Sequence, residues 1–376
     1  MSPCHPAAPP SPGGEGPHPV TGAAITGAPD SPDSPASPVV GPREAAGRRG
    51  AGRAPGEREA AGLVGRTAII VVNYDSAPLL ERNLAHVARQ APEARVVVVD
   101  NHSTTQARSE LIALAGREGW STVLPADNTG FGGGMNLGAQ RAAALGAEIL
   151  VLLNPDALID RDGLARLASR AAQDPGLLVG PVIQDSTGRT VSDGHVVCLA
   201  DGSMRSRRSP RPIPPGGTRP WLSGACLALS APLFSQAGGF DARYFLYWED
   251  VDFSARVLAC GGRLAVERGA VAIHDEGATH AEAHQGERAR SDTYYYYNIR
   301  NRLLYAGLHL SGPARRRWVA TAAAAAREVV LRGGRRQLLS SPRPALTALA
   351  ATRDGLGLMR AAGRGALPDP DTPLIR

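Results

Sequence analysis

Three apolar, largely β-branched runs restrict the fold of this chain more than any other feature. They are Thr67–Asn73, Arg95–Asp100 and Ile149–Leu153. Runs of this length and composition are typical of strands that are buried on both faces of a parallel sheet. A helical pattern follows the first run, a shorter strand is predicted at residues 122–124, and a second helical pattern at residues 139–144 precedes the third run. Such alternation gives right-handed crossovers, so the predicted fold is α/β, with a mostly parallel sheet flanked by helices.

Polar residues stand at the carboxyl ends of these predicted strands. In open α/β sheets ligands bind at that edge. Asn and Asp also favour ordinary turns, which is the alternative for any one of these positions. Because five such residues occur in succession, we predict a ligand site at this edge. The five are Asn73, Asp100, Asn128, Asn154 and Asp156.

A glycine-rich segment precedes the helical pattern at residues 139–144. Its spacing from Gly130 to Gly138 satisfies neither G-x-G-x-x-G nor the G-K-[ST] ending of a P-loop. A Rossmann dinucleotide site and a P-loop are therefore disfavoured. What remains is backbone that can approach an anionic ligand through N–H groups at a helix start, or a flexible loop.

An acidic cluster follows a predicted buried strand at residues 223–229. Glu249, Asp250 and Asp252 lie directly after the aromatic sequence Phe245–Trp248. Carboxylates this close together beside large apolar groups repel one another and lose hydration, which raises at least one pKa and suits a general base or a cation ligand. The alternative is an acidic first turn on a helix at residues 250–260, where the helix dipole favours negative charge.

The two ends of the chain differ from its centre in composition. Residues 1–65 are rich in Pro, Gly, Ala and Ser, and we predict that they are disordered. Residues 307–376 form a basic, Ala- and Arg-rich extension that is predicted to be helical. With a net charge of +6, the chain can bind anionic partners, including nucleotides and acidic membrane surfaces. The extension is predicted either to make a peripheral contact with an anionic membrane or to pack on the catalytic domain.

Several features bear on where the protein works. The N-terminus has no continuous apolar core, and no run of 18 uncharged apolar residues occurs, so neither a secretory peptide nor a membrane-spanning helix is expected. Four cysteines without metal-ligand spacing favour a reducing compartment. The predicted location is the cytoplasm, including the inner face of the cell membrane.

Six motifs occur in a fixed order between residues 66 and 306. They are AIIVVNYDS, VVVVDNHS, DNTGFGGGMNLG, LVLLNPDA, a block that runs from SGACLAL through GGFD to YWEDVD, and YNIRNR. Together they resemble the family 2 glycosyltransferases, in particular the rhamnosyltransferase-like branch. Each motif is weak singly, but the six in order are hard to obtain by chance.

The resemblance implies a single nucleotide-binding domain of the GT-A fold at residues 66–306 and an inverting glycosyltransferase activity. The donor would be a nucleoside diphosphate sugar that carries rhamnose or a similar hexose. The acceptor would be a cell-envelope glycan, a polysaccharide or a lipid-linked glycan, and no nucleic acid partner is implied. We expect the donor to contact Asn73, Tyr74, Asp100, Asn128, Gly130, Gly132, Asn136, Asn154 and Arg300.

The same resemblance assigns the chemistry. Asp250 occupies the position of the general base, with Glu249 beside it, whereas Asp252 stabilises the motif. Asn154-Pro155-Asp156 stands where many relatives have Asp-x-Asp, so a divalent metal (Mg²⁺ or Mn²⁺) would bind Asp156, with His274 as a second ligand. Asn154 replaces the first Asp of that pattern, which weakens the expected hold on the metal.

Two other functions remain open on the sequence. A nucleotidyltransferase could use a similar sheet, but it would carry a Gly-rich loop with Lys or Arg after the first strand, where this chain has Asn73-Tyr74-Asp75. A catalytically inactive sugar-nucleotide-binding module is the second alternative. Retention of Asp156 and Asp250 argues against it.

Overall fold

The computed structural model describes residues 62–207, 212–213, 215–274 and 290–375. Its strands are β1 (Thr67–Asn73), β2 (Arg95–Asp100), β3 (Ser121–Val123), β4 (Ile149–Leu153), β5 (Ala157–Ile159), β6 (Leu177–Gln184), β7 (Thr190–Ser192), β8 (His195–Cys198), β9 (Met204–Ser206), β10 (Thr218–Trp221), β11 (Cys226–Ser230) and β12 (Arg263–His274).

The helices alternate with these strands and then form the C-terminal region. They are α1 (residues 77–90, with a π-helical turn at Leu80–Leu84), α2 (Thr105–Glu118), α3 (Gly130–Ala144), α4 (Arg161–Gln173), α5 (Ala231–Gln236), α6 (Glu249–Ala259), α7 (Asp292–His309), α8 (Gly312–Ala320), α9 (Ala322–Leu331), α10 (Gln337–Ser340) and α11 (Arg343–Gly363).

One large mixed sheet forms the centre of the described structure. Its nine strands lie in the order β3-β2-β1-β4-β11-β6-β12-β5, with β7 beside β6. β1, β2, β3, β4, β6 and β12 run in one direction, whereas β5, β7 and β11 run in the other. The mostly parallel sheet predicted from the sequence is therefore confirmed. A separate small sheet has the order β10-β8-β9.

The side chains of β1 alternate between two apolar cores, as the period of a strand requires. Ile69 and Val71 join the core on one face of the sheet, which includes residues of α1, α2 and α4. Ile70 and Val72 join the core on the other face, which includes residues of α3, α5 and α6. Because both faces are covered, β1 is buried along its whole length. Functional groups can meet a ligand only at the ends of such strands.

The glycine-rich segment is the first part of α3 and not a loop. A Cβ on Gly134 would lie 2.9 Å from the Val72 side chain, and one on Gly132 would lie 2.8 Å from Cβ of Phe240. Gly130 has a φ of +74°, and a Cβ there would overlap the backbone of Phe245. The glycines therefore allow α3 to pack closely on β1 and on residues 240–245. This close packing replaces the predicted alternatives of an anion-binding backbone and a flexible loop.

The C-terminal helices pack on the rest of the chain. Trp318 is fully buried in a core that also contains Trp248, Val251 and Tyr305. The Trp318 indole Nε1 donates to the Leu199 carbonyl oxygen at 2.9 Å. The boundary predicted at residues 306 and 307 falls inside α7, whose long packing partner is α11. The extension and the motif region thus share one core.

The described structure begins slightly before the predicted start of order. Val64 is 1% exposed and belongs to the core beside β1, so the predicted disordered segment cannot extend to residue 65. Smaller shifts occur at the predicted strand at residues 223–229, which starts at Cys226, and at the helix at 250–260, which starts at Glu249. Among the described helices, none is both long and apolar enough to cross a bilayer.

Candidate active site

The carboxyl ends of β1 and β2 lie side by side and are joined through their side chains. Nδ2 of Asn73 donates to Oδ1 of Asp100 at 3.0 Å, and Nε of Arg108 donates to Oδ2 of Asp100 at 2.6 Å. Asn73 and Asp100 are fully buried. The two residues lie at the predicted edge, but their polar atoms already have partners within the protein. Tyr74, which follows directly, is 54% exposed and is the residue here that a ligand can reach.

Asn128 and Asn101 fix the start of α3. Oδ1 of Asn128 accepts hydrogen bonds from the Gly130 backbone N–H and from Nδ2 of Asn101, each at 2.9 Å. Oδ1 of Asn101 in turn accepts the Thr129 backbone N–H at 2.9 Å. The next N–H, of Phe131, donates to the Phe245 carbonyl oxygen at 2.8 Å. The N–H groups of Gly130 and Phe131 therefore have protein partners, and Gly130 and Gly132 pack closely on neighbouring residues.

Asn136 also differs from its predicted role in donor binding. Its Nδ2 donates to the Phe240 carbonyl oxygen at 2.8 Å, and its Oδ1 accepts the Phe240 N–H at 2.7 Å. The amide nitrogen and oxygen of Asn136 thus both bond to the backbone of Phe240. These bonds connect α3 to the segment before the acidic motif.

Asn154, Asp156 and His274 form a second group at the same edge. Oδ1 of Asp156 lies 3.2 Å from Nε2 of His274, and Nδ2 of Asn154 lies 3.4 Å from the same nitrogen. The residues come together because His274 ends β12, which pairs with β5 directly after Asp156. Two residues that are 118 positions apart in the sequence and that were predicted as metal ligands are therefore neighbours.

This group has the donor set that a divalent cation needs. Oδ1 of Asp156 and Oδ1 of Asn154 are buried, and neither accepts a hydrogen bond of good geometry from the described residues. A carboxylate oxygen, an amide oxygen and an imidazole nitrogen suit Mn²⁺, and the two oxygens suit Mg²⁺. Among the described residues, no three His, Cys, Asp or Glu side chains are placed so that they could hold a metal ion together, so Asn154 would be the third protein ligand.

Asp250 is held by backbone N–H groups on both of its carboxylate oxygens. Gly224 donates to Oδ2 at 3.0 Å, and Val251 donates to Oδ1 at 2.8 Å. Burial raises the pKa of Asp250 to about 6, although these hydrogen bonds oppose the shift. The adjacent Ala225 accepts the N–H of Asn154 at 3.0 Å through its carbonyl oxygen. Residues 224 and 225 therefore connect Asp250 to the group around Asp156.

The other two carboxylates of the motif have different environments. Burial, together with the charge of Asp250, raises the pKa of Glu249 to about 8, and its Oε2 has no hydrogen-bond partner among the described residues. Burial alone would raise the pKa of Asp252, but Arg256 and His309 outweigh it and hold that pKa below its usual range. Asp252 Oδ1 lies 2.6 Å from His309 Nε2, and Asp252 Oδ2 lies 2.8 Å from Arg256 Nε. The environment of Asp252 fits the stabilising role predicted for it.

The turn that leads into the acidic motif has an unusual backbone. Phe245, Tyr247 and Trp248 have φ values of +63°, +65° and +74°, in a region that residues with side chains seldom adopt. Such conformations cost about 1–3 kcal/mol each and persist only where surrounding contacts enforce them. Nδ2 of Asn301, on α7, lies 2.8 Å from the carbonyl oxygens of Tyr244, Leu246 and Tyr247, which share its two N–H donors. Asn301 therefore fixes the turn that sets the direction of Glu249 and Asp250.

Arg300 does not occupy the predicted position at the donor site. Its guanidinium is buried, donates to the carbonyl oxygens of Arg243 and Leu374, and lies over the Tyr297 ring at 5.1 Å from the ring centroid. A buried cation with two carbonyl partners holds the C-terminal segment on α7. No local pattern around Arg300 predicts this contact, because Leu374 is 74 positions away in the sequence.

Sequence reasoning missed two residues that organise this site. Asn101 follows the strand-end Asp100 directly, and Asn301 lies between two arginines in the YNIRNR motif. An Asn at a strand end is one signal that could have identified Asn101. Asn301 carried no such local signal, since a polar residue within a helix is ordinarily exposed.

The chain is similar in sequence to known glycosyltransferases. The family model described as glycosyl transferase family 2 matches residues 68–219. The N-acetylglucosaminyl-diphospho-decaprenol L-rhamnosyltransferase of Mycobacterium tuberculosis (strain ATCC 25618 / H37Rv) is 29% identical over 250 residues, which cover 57% of this chain and 80% of that protein. The low-salt glycan biosynthesis hexosyltransferase Agl10 of Haloferax volcanii is 26% identical over 243 residues, which cover 63% and 74% of the two chains.

A solved structure shares the fold. The crystal structure of GalNAc-T7 with UDP, GalNAc and Mn²⁺ aligns with a TM-score of 0.53 at 15% sequence identity. The alignment covers 69% of this chain and half of that longer chain. At this identity the likeness concerns the fold, which is of the GT-A type. The family match over residues 68–219, the relatives and this fold make the chain similar to the family 2 glycosyltransferases, enzymes that transfer a sugar from a nucleotide sugar.

Proposed function

We propose that this enzyme transfers rhamnose or a similar hexose from a nucleoside diphosphate sugar to a lipid-linked or polysaccharide acceptor, with inversion at the anomeric carbon. The observation that carries the proposal is the placement of Asp250. Its carboxylate is oriented by Gly224 and Val251, and its pKa is raised to about 6. A carboxylate with such a pKa is largely ionised at neutral pH and is still basic enough to accept a proton from a hydroxyl group as that hydroxyl reacts.

The reaction is a single displacement. The acceptor hydroxyl oxygen attacks the anomeric carbon, the bond from that carbon to the diphosphate oxygen breaks, and Asp250 takes the hydroxyl proton. The nucleoside diphosphate leaves with the electron pair of the broken bond. Because the acceptor enters from the face opposite the leaving group, the configuration inverts, and no enzyme nucleophile is needed.

Charge on the departing diphosphate requires a positive partner at the sheet edge. Asp156, His274 and Asn154 would hold a divalent cation, which when bound neutralises part of that charge. The buried Asp156 and Asn154 oxygens without hydrogen-bond partners support this assignment. Mn²⁺ is present in the GalNAc-T7 structure that shares the fold.

Support for the acceptor class comes from the relatives. The mycobacterial relative is named for transfer of L-rhamnose to N-acetylglucosaminyl-diphospho-decaprenol, a lipid-linked sugar. A relative from Myxococcus xanthus, 30% identical over 227 residues, is an O-antigen biosynthesis protein, although the match covers only 17% of that protein. Both names concern envelope glycans, which is the acceptor class we propose.

The test uses the purified full-length chain with a panel of nucleoside diphosphate sugars and a lipid-linked N-acetylglucosamine acceptor. We expect Mn²⁺-dependent transfer from one donor, with the product anomer opposite to that of the donor in its NMR spectrum. A product with retained configuration would contradict the mechanism. Donor binding without turnover on any acceptor of this class would favour the inactive binding module instead.

A further inference from the structure

The longest C-terminal helix, α11, carries large apolar side chains on its outer, solvent-exposed side. α11 buries Pro344, Thr347, Ala351 and Gly355 along one stripe, together with Met359. A Cβ on Gly355 would lie 2.9 Å from the Arg300 carbonyl oxygen, so small residues are needed on the inner side for close packing on α7. Close packing on α7 thus accounts for the small residues on the inner side of α11. It does not account for the residues on the outer side.

The outer stripe of α11 carries large apolar side chains. Leu346 is 62% exposed and Leu349 is 69% exposed. Leu339, on the neighbouring helix α10, is 90% exposed. Single exposed leucines are common on protein surfaces. These three exposed side chains, Leu339, Leu346 and Leu349, lie on two helices that contact each other, and together they are called the leucine face.

Positive charge predominates around the leucine face. Residues 329–353 contain five arginines and no Asp or Glu. Arg332 and Arg353 pair with Glu328 and Asp354, which flank this range, and the other three arginines are Arg335, Arg336 and Arg343. Arg335 and Arg343 are exposed and lie on either side of Leu339 in the sequence. Exposed apolar side chains bordered by cations are typical of helices that lie in the interface of an anionic bilayer. An acceptor with a lipid anchor would be held in the same plane.

We propose that the leucine face, with Arg335 and Arg343 at its border, docks on the surface of a bilayer that contains anionic lipid. This surface lies within the extension at residues 307–376, where the sequence predicts a membrane contact, but outside the part of it around residues 318–330. There, Trp318, Val329 and Val330 are buried in the protein. The inference concerns binding and does not depend on the proposed transfer reaction, since vesicle binding needs neither donor nor acceptor.

The geometry also relates the leucine face to the site. α11 packs along α7, and α7 carries Asn301, which fixes the turn before Asp250. A bilayer bound to the outer side of α11 would therefore lie against a helix pair that reaches the acidic motif. An acceptor in that bilayer would meet the enzyme from this side.

Co-sedimentation of the full-length protein with vesicles tests the proposal. The vesicles consist of equal parts phosphatidylglycerol and phosphatidylcholine, or of phosphatidylcholine alone. We expect binding to the anionic vesicles that weakens with added salt, since the screening length falls from about 30 Å at 0.01 M to about 8 Å at 0.15 M. Neutral vesicles should bind far less protein.

Two sets of variants separate the apolar and the charged contributions. The triple variant Leu339→Gln, Leu346→Gln, Leu349→Gln should lower the partition coefficient by about a hundredfold, because three partly buried leucines are lost. The double variant Arg335→Gln, Arg343→Gln should lower it by about fivefold for each arginine. Ile112→Gln on α2 and Arg82→Gln on α1 are matched controls, since both residues are exposed and lie outside the C-terminal region.

Melting temperatures of all variants should stay near that of the wild type, because every substituted side chain is exposed. The proposal is wrong if the wild type does not sediment with anionic vesicles, or if the triple variant binds as well as the Ile112→Gln control. A wild-type dimer that the triple variant converts to monomer would assign the face to a second copy of the chain and would also overturn it.

Discussion

The backbone N–H of Gly224 donates a hydrogen bond to Oδ2 of Asp250 at 3.0 Å. This bond joins the turn before β11 to the first turn of α6, and it explains why residues 223–225 do not continue the strand. If they were part of β11, the Gly224 N–H would pair with a neighbouring strand and could not orient the carboxylate. The turn at Gly224 therefore helps to orient Asp250, the residue that we propose as the general base.

The first prediction concerns Asp250→Asn. The substitution keeps the shape of the side chain and removes its ability to accept a proton, so kcat should fall by about 10²–10⁴. Donor affinity, measured by calorimetry, should change little. Asp162→Asn, at an exposed position in the first turn of α4, is the control and should retain wild-type turnover.

The pH dependence of the wild type should report the same group. Since burial raises the pKa of Asp250 to about 6, its carboxylate becomes protonated as the pH falls through that value. We expect kcat/KM to fall below a pH of about 6, where the base is lost. A profile that stays flat down to a pH of about 4, the ordinary pKa of Asp, would contradict the assignment.

The second prediction concerns the metal. In the wild type, calorimetry should show tighter donor binding with Mn²⁺ than with a chelator. Asp156→Ala and His274→Ala should each weaken the Mn²⁺-dependent binding by at least about tenfold, the lower end of losses seen even for indirect metal contacts. When a chelator is present, the donor affinity of the variants should be nearly the same as that of the wild type. Full turnover by chelator-treated wild type would disprove the metal assignment.

The third prediction concerns Asn301→Leu, which keeps the volume of the side chain and removes its donors to Tyr244, Leu246 and Tyr247. The free energy of unfolding should fall by about 2–4 kcal/mol, since each lost hydrogen bond contributes about 0.5–1.5 kcal/mol and the turn loses its support. At a temperature well below its melting point, the variant should also have a lower kcat with an unchanged KM for the donor.

Asn298→Leu is the matched control on the same helix. Asn298 makes one local hydrogen bond, from Nδ2 to the Tyr294 carbonyl oxygen at 3.0 Å. Its replacement should leave kcat unchanged. If Asn301→Leu lowers stability but leaves kcat at the wild-type value in the folded protein, Asn301 has no part in positioning Asp250.

The fourth prediction concerns Asp252→Asn. Asp252 is buried and paired with Arg256 and His309, so removal of its charge leaves two buried cationic or polar groups without their partner. The free energy of unfolding at neutral pH should fall by about 3–5 kcal/mol. Urea unfolding measures this, and the exposed Asp162→Asn variant should differ from wild type by no more than about 0.5 kcal/mol.

The lowered pKa of Asp252 also sets how the stabilisation by this residue changes with pH. A carboxyl group whose pKa is lower in the folded than in the unfolded state stabilises the protein above the unfolded value of about 3.9, and this contribution is lost as the pH falls below it. The difference between wild type and Asp252→Asn should therefore be constant near neutral pH and should narrow below a pH of about 4. A difference that grows on acidification would contradict the prediction.

The sequence alone is enough to predict strands β1, β2 and β4 and the polar residues at their carboxyl ends. A run such as Thr67–Asn73 can be buried only between two apolar layers, and its turn residues must stand where the strand ends. These are local properties of the chain, so the positions of Asn73, Asp100 and Asp156 at one edge followed from the pattern. The acidic motif and its order among the other motifs were also readable.

The contacts of each polar side chain at that edge could not be predicted from the sequence, because they depend on the tertiary structure. Asp100 is paired with Arg108, Asn136 with the backbone of Phe240, and Arg300 with carbonyl oxygens of the C-terminal segment. The glycines of α3 are fixed by the side chains they pack against, and Asn301 reaches a turn 54 to 57 positions away in the sequence. Hydrogen bonds and close packing depend on neighbours that are distant along the chain, and no local pattern specifies those neighbours.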